Sequence, residues 1–149
     1  MPGGSSSSRS GDRRSEREKT LREVLLTALL VGSGGFLGAL LRYGVGGVIH
    51  QRLPFVRFPC GTLAANMLGC FAIGLLTGLV DASHLLGPSF RKFALIGLIG
   101  ALTTFSTFLY ETFAMLQDAE YLQAAANVGI QLVVGLFLVW LGHTIIMAR

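Results

Sequence analysis

The sequence predicts an all-α integral membrane protein with four transmembrane helices, the third of them broken near its middle. Of the 149 residues, 52% are hydrophobic and only 13% are charged, whereas ordinary soluble domains are about 25% charged. Four uncharged stretches each approach or exceed the roughly 18–20 residues that cross the hydrocarbon core of a bilayer. Thr and Ser residues crowd the middle of the third stretch, which predicts the break. A chain of this length forms one domain or a small bundle.

The first 22 residues are polar, Ser-rich and dense in charges of both signs. Mixed-charge segments of this kind are typical of a solvated, disordered terminus. We therefore expect a polar disordered tail over residues 1–22 and a four-helix transmembrane domain over residues 23–149. Half of the basic residues belong to this tail, so the net charge of +4 does not indicate a nucleic-acid partner. The first apolar run begins only at Val24, so a cleaved signal peptide is not expected.

Charged residues, glycine and proline mark the joins between the four stretches. Since these joins are short, consecutive helices are expected to be antiparallel neighbours. The four predicted spans are Val24–Leu41, Pro59–Val80, Phe93–Tyr110 and Tyr121–Ala148.

Glycines recur at helical spacing in the predicted spans. Gly34 with Gly38, and Gly74 with Gly78, have the GxxxG spacing that lets helix backbones approach closely in lipid. Tight packing is the simplest interpretation of each pair. Close contacts in so small a chain also suggest that a second subunit completes the bundle.

The segment Gly100–Phe108 combines a glycine, four hydroxyl residues and two phenylalanines within the third span. Irregular backbone at membrane depth survives only where it is buried in protein or lines a cavity. Phe105 and Phe108 lie three residues apart on one helix face, and the positive edges of their rings could stabilise an anion. Two core phenylalanines are the commoner explanation for such a pair, but the neighbouring hydroxyl donors favour a polar pathway.

Two further features indicate where ions could bind in the membrane. Backbone carbonyls freed at Gly100 and Thr103 would suit a hard cation, which prefers oxygen ligands. In the second span, Thr62 and Asn66 lie four residues apart on one face. An isolated transmembrane Asn is about as often an interhelical hydrogen-bonding residue as a pathway residue, and its amide offers two N–H donors to either.

No carboxylate lies at the centre of a predicted span, because Asp81 and Glu111 fall near span ends. A proton-coupled exporter would need such a group at the midplane, so a small dual-topology multidrug-type exporter is only the alternative function. A packing or assembly protein would explain the glycines but leave the hydroxyl and aromatic cluster without a role. The sequence shows no nucleophile with a base and an orienting partner, so we do not expect an enzyme.

Three segments together resemble the CrcB/Fluc family of fluoride channels. They are Gly34–Tyr43, Gly61–Phe71 and Gly100–Phe108, which occur in order and with compatible spacing. The resemblance implies a dual-topology antiparallel homodimer in the bacterial-type plasma (inner) membrane, in contact with lipid, with two fluoride pathways. It also allows an oppositely oriented paralogue as the partner. The implied function is passive fluoride export that lowers cytoplasmic fluoride toxicity.

The resemblance also implies roles for individual residues. Phe105 and Phe108 would line the fluoride pathway with their ring edges, and Asn66 would donate to the ion. Backbone carbonyls of Gly100 and Thr103 would hold a structural sodium ion at the dimer interface. The other implied residues are Thr62 and Ser106, in a polar track, and Arg42, in a vestibule or structural role.

Two features depart from the family pattern. The family often carries serine where this chain has Gln131, and tyrosine or asparagine at Asn127, which leaves the fourth helix's part of the pathway open. In addition, the side of the membrane that holds the N-terminus carries nine of the twelve Lys and Arg residues. By the positive-inside rule this favours a cytoplasmic N-terminus, whereas dual topology requires insertion in both directions.

Overall fold

The computed structural model describes residues 6–83 and 87–148, and in these ranges it contains helices and short loops but no strand. Four helical units within them are long and apolar enough to cross a membrane: Ser15–Arg52, Cys60–Ala82, Pro88–Gln117 and Tyr121–Met147. This confirms the predicted all-α membrane fold. We name the uninterrupted helices α1 (Ser6–Arg52), α2 (Cys60–Ser83) and α6 (Tyr121–Met147).

The third span is assembled from several short helical pieces. It begins with α3 (Pro88–Arg91), whose proline occupies the first turn, where its missing N–H costs nothing. A π-helical segment (Lys92–Ile99) and α4 (Gly100–Leu102) follow. Residues 103 and 104 are extended, and α5 (Phe105–Gln117) resumes the span. The predicted break is confirmed, and a π-helical turn beside it is common near functional sites.

The N-terminal segment differs from the expectation for residues 1–22, since α1 begins at Ser6. The long apolar span supplies a helix nucleus, and extending an existing helix is far easier than starting one. Local contacts also support the extension. Lys19 Nζ lies 3.0 Å from Glu16 Oε1, and the Thr20 hydroxyl donates to the Glu16 carbonyl at 2.8 Å. The described chain is therefore helical from Ser6 onwards, while residues 1–5 lie outside the described residues.

Helices α2 and α6 pack backbone to backbone through glycines. A Cβ atom at Gly142 would lie 2.6 Å from the Phe71 carbonyl oxygen, and one at Gly78 would lie 2.9 Å from the Ile146 Cβ. A Cβ at Gly74 would overlap with the carbonyl oxygen of Val139. The close approach predicted from the Gly74 and Gly78 spacing is therefore confirmed.

Helix α1 packs in the same way against the π-helical segment. Cβ atoms at Gly34 and Gly38 would overlap with the carbonyl oxygens of Phe93 and Leu98 respectively. From the other side, a Cβ at Gly97 would lie 2.6 Å from the Val31 carbonyl oxygen. The prediction for this glycine pair is also confirmed.

Few side chains are fully buried among those that the structure describes. Most large apolar side chains on the outside of the bundle are exposed, as expected where lipid takes the place of water. In the described part of the chain, three buried residues are polar: Asn66, Thr112 and Asn127. They lie on α2, α5 and α6, and they lead to the candidate site.

Candidate functional site

Asn66 holds the break in the third span in place. Its Oδ1 accepts the Thr104 N–H at 2.8 Å, and its Nδ2 donates to the Thr104 carbonyl at 3.2 Å. In an uninterrupted helix the Thr104 N–H would donate to the Gly100 carbonyl. The amide of Asn66 replaces that partner, so this residue is both an interhelical contact and a part of the candidate site.

The break frees carbonyl oxygens from helical pairing. The Thr104 N–H donates to Asn66, and the Thr107 N–H donates to the Thr104 hydroxyl at 3.3 Å. The carbonyls of Gly100 and Thr103 therefore lose the amides that would pair with them in a continuous helix. The Thr104 hydroxyl acts as the N-cap of α5, which stabilises the new helix start. The two residues predicted to offer carbonyls to a cation thus lie at the break.

Phe105 and Phe108 lie together beside Asn66. Their ring centroids are 5.6 Å apart and the ring planes are tilted by 54°. Phe108 is buried, at 5% exposure, whereas Phe105 is 70% exposed. Both rings line a cavity of about 290 Å³ with Asn66 and Gln131, and we call it the amide cavity. The structure therefore brings together three predicted pathway residues.

A chain of hydrogen bonds continues from Asn66 onto α6. Asn66 Nδ2 donates to Gln131 Oε1 at 2.7 Å, and Gln131 Nε2 approaches Asn127 Oδ1 at 3.4 Å. Asn127 Nδ2 donates to the Thr112 hydroxyl at 2.9 Å, and this hydroxyl donates to the Phe108 carbonyl at 2.8 Å. The part of the fourth helix that the sequence left open is thus connected to the site. Sequence reasoning missed Thr112, which looks like an ordinary hydroxyl on an apolar helix.

A second cavity of about 430 Å³ lies toward the membrane side that holds the α1–α2 loop, and we call it the mouth cavity. Arg42, His50 and Thr62 line it, together with Glu111. The Thr62 hydroxyl donates to Glu111 Oε1 at 2.6 Å. Glu111 Oε2 is buried and has no hydrogen-bond partner among the described residues. From the sequence, Glu111 was noted only for its distance from the centre of a span and was not predicted to be part of the site.

The remaining predicted residues divide between the cavities. Thr62 lies in the mouth cavity and not beside Asn66 in the amide cavity, although both residues share α2. Ser106 is exposed, and its hydroxyl lies 3.5 Å from that of Thr104. Thr104 is the residue that the linings of both cavities share.

Four spans around a pinned helix break, with an amide and two aromatic rings beside it, define a small multi-pass membrane protein with an intramembrane polar site. Residues 29–143 match the family described as "CrcB-like protein, Camphor Resistance (CrcB)". The chain belongs to this family, and it is a multi-pass protein of the bacterial-type inner membrane.

Curated relatives match most of the chain. A protein of Acidobacterium capsulatum named fluoride-specific ion channel FluC is 47% identical over 117 residues, which are 78% of this chain and 93% of the relative. Fluoride-specific ion channel FluC 1 of Methanosarcina acetivorans is 41% identical over 118 residues, 79% of this chain and 88% of the relative. The FluC protein of Nitratidesulfovibrio vulgaris is 41% identical over 114 residues, 76% and 91% of the two chains.

Proposed function

We propose that this protein is a fluoride-selective channel that exports fluoride passively from the cell. The observation that carries the proposal is the amide cavity, where Asn66 meets Phe105 and Phe108, in a chain whose relatives are named fluoride-specific channels. Fluoride enters cells as membrane-permeant HF and is trapped as the anion at neutral pH. A passive pathway then suffices, because an inside-negative potential drives the anion outward.

The chemistry of the cavity suits an anion that must bind and leave again. The amide N–H groups of Asn66 are donors, and the edges of aromatic rings carry partial positive charge. Both attract fluoride more weakly than a fixed cation would. Conduction needs binding that is favourable enough for the ion to enter and weak enough for it to leave. Ser106 adds a hydroxyl donor on the way, Thr62 lines the mouth cavity with its O–H donated to Glu111, and Arg42 attracts anions to that cavity.

The functional unit is an antiparallel dimer of this chain. Phe105 is 70% exposed in the single chain, and its neighbours Ser106 and Thr107 are exposed as well. All three lie in the middle of a span, where lipid offers no partner to a hydroxyl or a freed carbonyl. A second copy on this face supplies protein partners for the hydroxyls. It also completes the wall of the amide cavity beside Phe105.

The break is suited to a structural sodium ion at the centre of this dimer. The freed carbonyls of Gly100 and Thr103 are hard oxygen ligands of the type that such a cation prefers. Among the described residues, no group of three or more His, Cys, Asp or Glu side chains is placed to hold a metal. A cation at the break would therefore rely on backbone oxygens. Two chains that each contribute the same carbonyls would surround the ion.

Fluoride efflux from liposomes tests the channel function. Liposomes that contain the purified protein and are loaded with fluoride should release it rapidly to an external fluoride electrode, while they retain chloride. Phe108→Ile should abolish most of this release, since it removes the ring from the cavity. Phe137→Ile is the matched control, because Phe137 is half exposed on α6 and lines neither cavity. Absence of wild-type efflux from well-folded dimers would refute the function.

A further inference from the structure

The amide of Asn66 is saturated by contacts within the chain. An asparagine amide has two N–H donors. Asn66 Nδ2 uses them on the Thr104 carbonyl at 3.2 Å and on Gln131 Oε1 at 2.7 Å. Asn66 is also buried, at 9% exposure. No donor remains for an anion until one of these two bonds opens.

Backbone groups at the two ends of this chain of hydrogen bonds fix the direction of every bond in it. The Thr104 N–H can only donate, so Asn66 must turn its oxygen to Thr104 and its nitrogen to Gln131. Gln131 must therefore present its oxygen to Asn66. At the far end the Phe108 carbonyl can only accept, so the Thr112 hydroxyl donates to it and accepts from Asn127. If Gln131 turned its own N–H groups toward Asn66, they would face the N–H donor of Asn66 instead of an acceptor.

From this arrangement we infer that Gln131 is the residue that fluoride must displace to reach Asn66. Its side-chain oxygen occupies the donor that the anion needs, so it sets how readily the site fills. The inference rests on the proposed fluoride pathway through Asn66. Gln131 acts through Asn66 and is in this sense a positioning residue.

Of the two partners of Asn66 Nδ2, Gln131 is the one whose hydrogen bond opens more easily. The bonds between Asn66 and Thr104 replace helical backbone pairing, so opening them would disturb the break itself. Gln131 is only half buried, and its other contact, to Asn127, is long at 3.4 Å.

The inference predicts a specific change in concentration dependence. Gln131→Met keeps the side-chain length but removes the competing oxygen, and Gln131→Ser removes most of the side chain. Either variant should lower the fluoride concentration that gives half-maximal efflux by about 2- to 10-fold, the range for one neutral hydrogen bond. The maximal rate should fall no lower than that of the wild type. Gln123→Met is the matched control, because Gln123 is also half buried on α6 but lines neither cavity.

The measurement is the initial rate of efflux from liposomes loaded with a series of fluoride concentrations. A lower half-saturating concentration in both Gln131 variants, with Gln123→Met unchanged, supports the inference, because a merely structural defect would reduce the maximal rate. A half-saturating concentration equal to or above that of the wild type overturns it and leaves the channel function intact. Absence of efflux from the wild type refutes the proposed function itself. If Gln131→Met does not assemble, Gln131→Ser decides.

Discussion

Replacing Gly142 by alanine adds a methyl group to α6 directly against the backbone of α2. The new Cβ would lie 2.6 Å from the Phe71 carbonyl oxygen and 2.8 Å from the Leu75 nitrogen. Both are backbone atoms, so no side-chain rotation relieves the overlap. Ordinary contact for a Cβ begins at 3.4 Å, so the difference from 2.6 Å requires the helices to part locally by about 0.8 Å.

Overpacking of this kind typically costs about 1–3 kcal/mol of stability. For a chain of this size that corresponds to a fall of roughly 3–9 °C in melting temperature. The separation also moves α6 relative to α2, and with it the contact between Gln131 and Asn66. We therefore expect fluoride efflux to fall together with stability.

The assay is the fraction of protein that stays folded and monodisperse after heating in detergent, measured by size-exclusion chromatography, followed by liposome efflux of the same preparations. Gly129→Ala is the matched control on α6, because a Cβ there meets nothing within 4 Å. It should melt at or slightly above the wild-type temperature, since alanine favours the helix over glycine. Equal melting temperatures for Gly142→Ala and the wild type would refute the argument that α2 and α6 need this close contact.

Three smaller perturbations test other parts of the site. Thr62→Val leaves Glu111 Oε1 without its 2.6 Å donor and should lower stability by about 1–3 kcal/mol. The control Thr77→Val loses only bonds to its own helix and should lower stability little, so equal losses for the two variants would contradict this. Thr104→Ala removes the N-cap of α5 and should lower stability by about 1 kcal/mol and reduce efflux, and unchanged efflux would argue against a positioned break. Arg57→Gln should change stability by less than about 1 kcal/mol, because Arg57 is 82% exposed in its 3.2 Å pair with Glu120. A larger loss of stability would mean that this ion pair holds the α1–α2 loop against the start of α6.

Features that are determined by residues close together in the sequence were predictable. Span lengths follow from hydropathy, and the break follows from hydroxyl residues crowded into an apolar segment. The close helix approach at Gly34 and Gly74 follows from glycine spacing, although the spacing does not identify the partner helices. Helix continuation to Ser6 was not predicted, because charge composition indicates solvation and does not distinguish a solvated coil from a solvated helix.

Long-range partners were not predictable. Asn66 pairs with Thr104 and Gln131, which lie 38 and 65 residues away. A single sequence gives their polarity but not which of them meet. Glu111 shows the same limit, because its distance from a span centre was evident, while its bond to Thr62 across 49 residues was not. The family resemblance supplied the roles of Phe105 and Phe108 that periodicity alone left open.

Thr104 lines both the mouth cavity and the amide cavity, and in the proposed fluoride pathway this shared position has an electrical consequence. Membrane voltage falls mainly across the parts of a pathway from which water is excluded, and a wide mouth adds little resistance. In the proposed pathway we therefore expect the work done on the ion, about 2.3 kcal/mol per charge for each 100 mV, to be concentrated between Thr104 and Phe108. This stretch is roughly 6 Å of helix. Changes at Thr104 should alter the voltage dependence of the current, whereas changes at Arg42 should alter only its dependence on ionic strength.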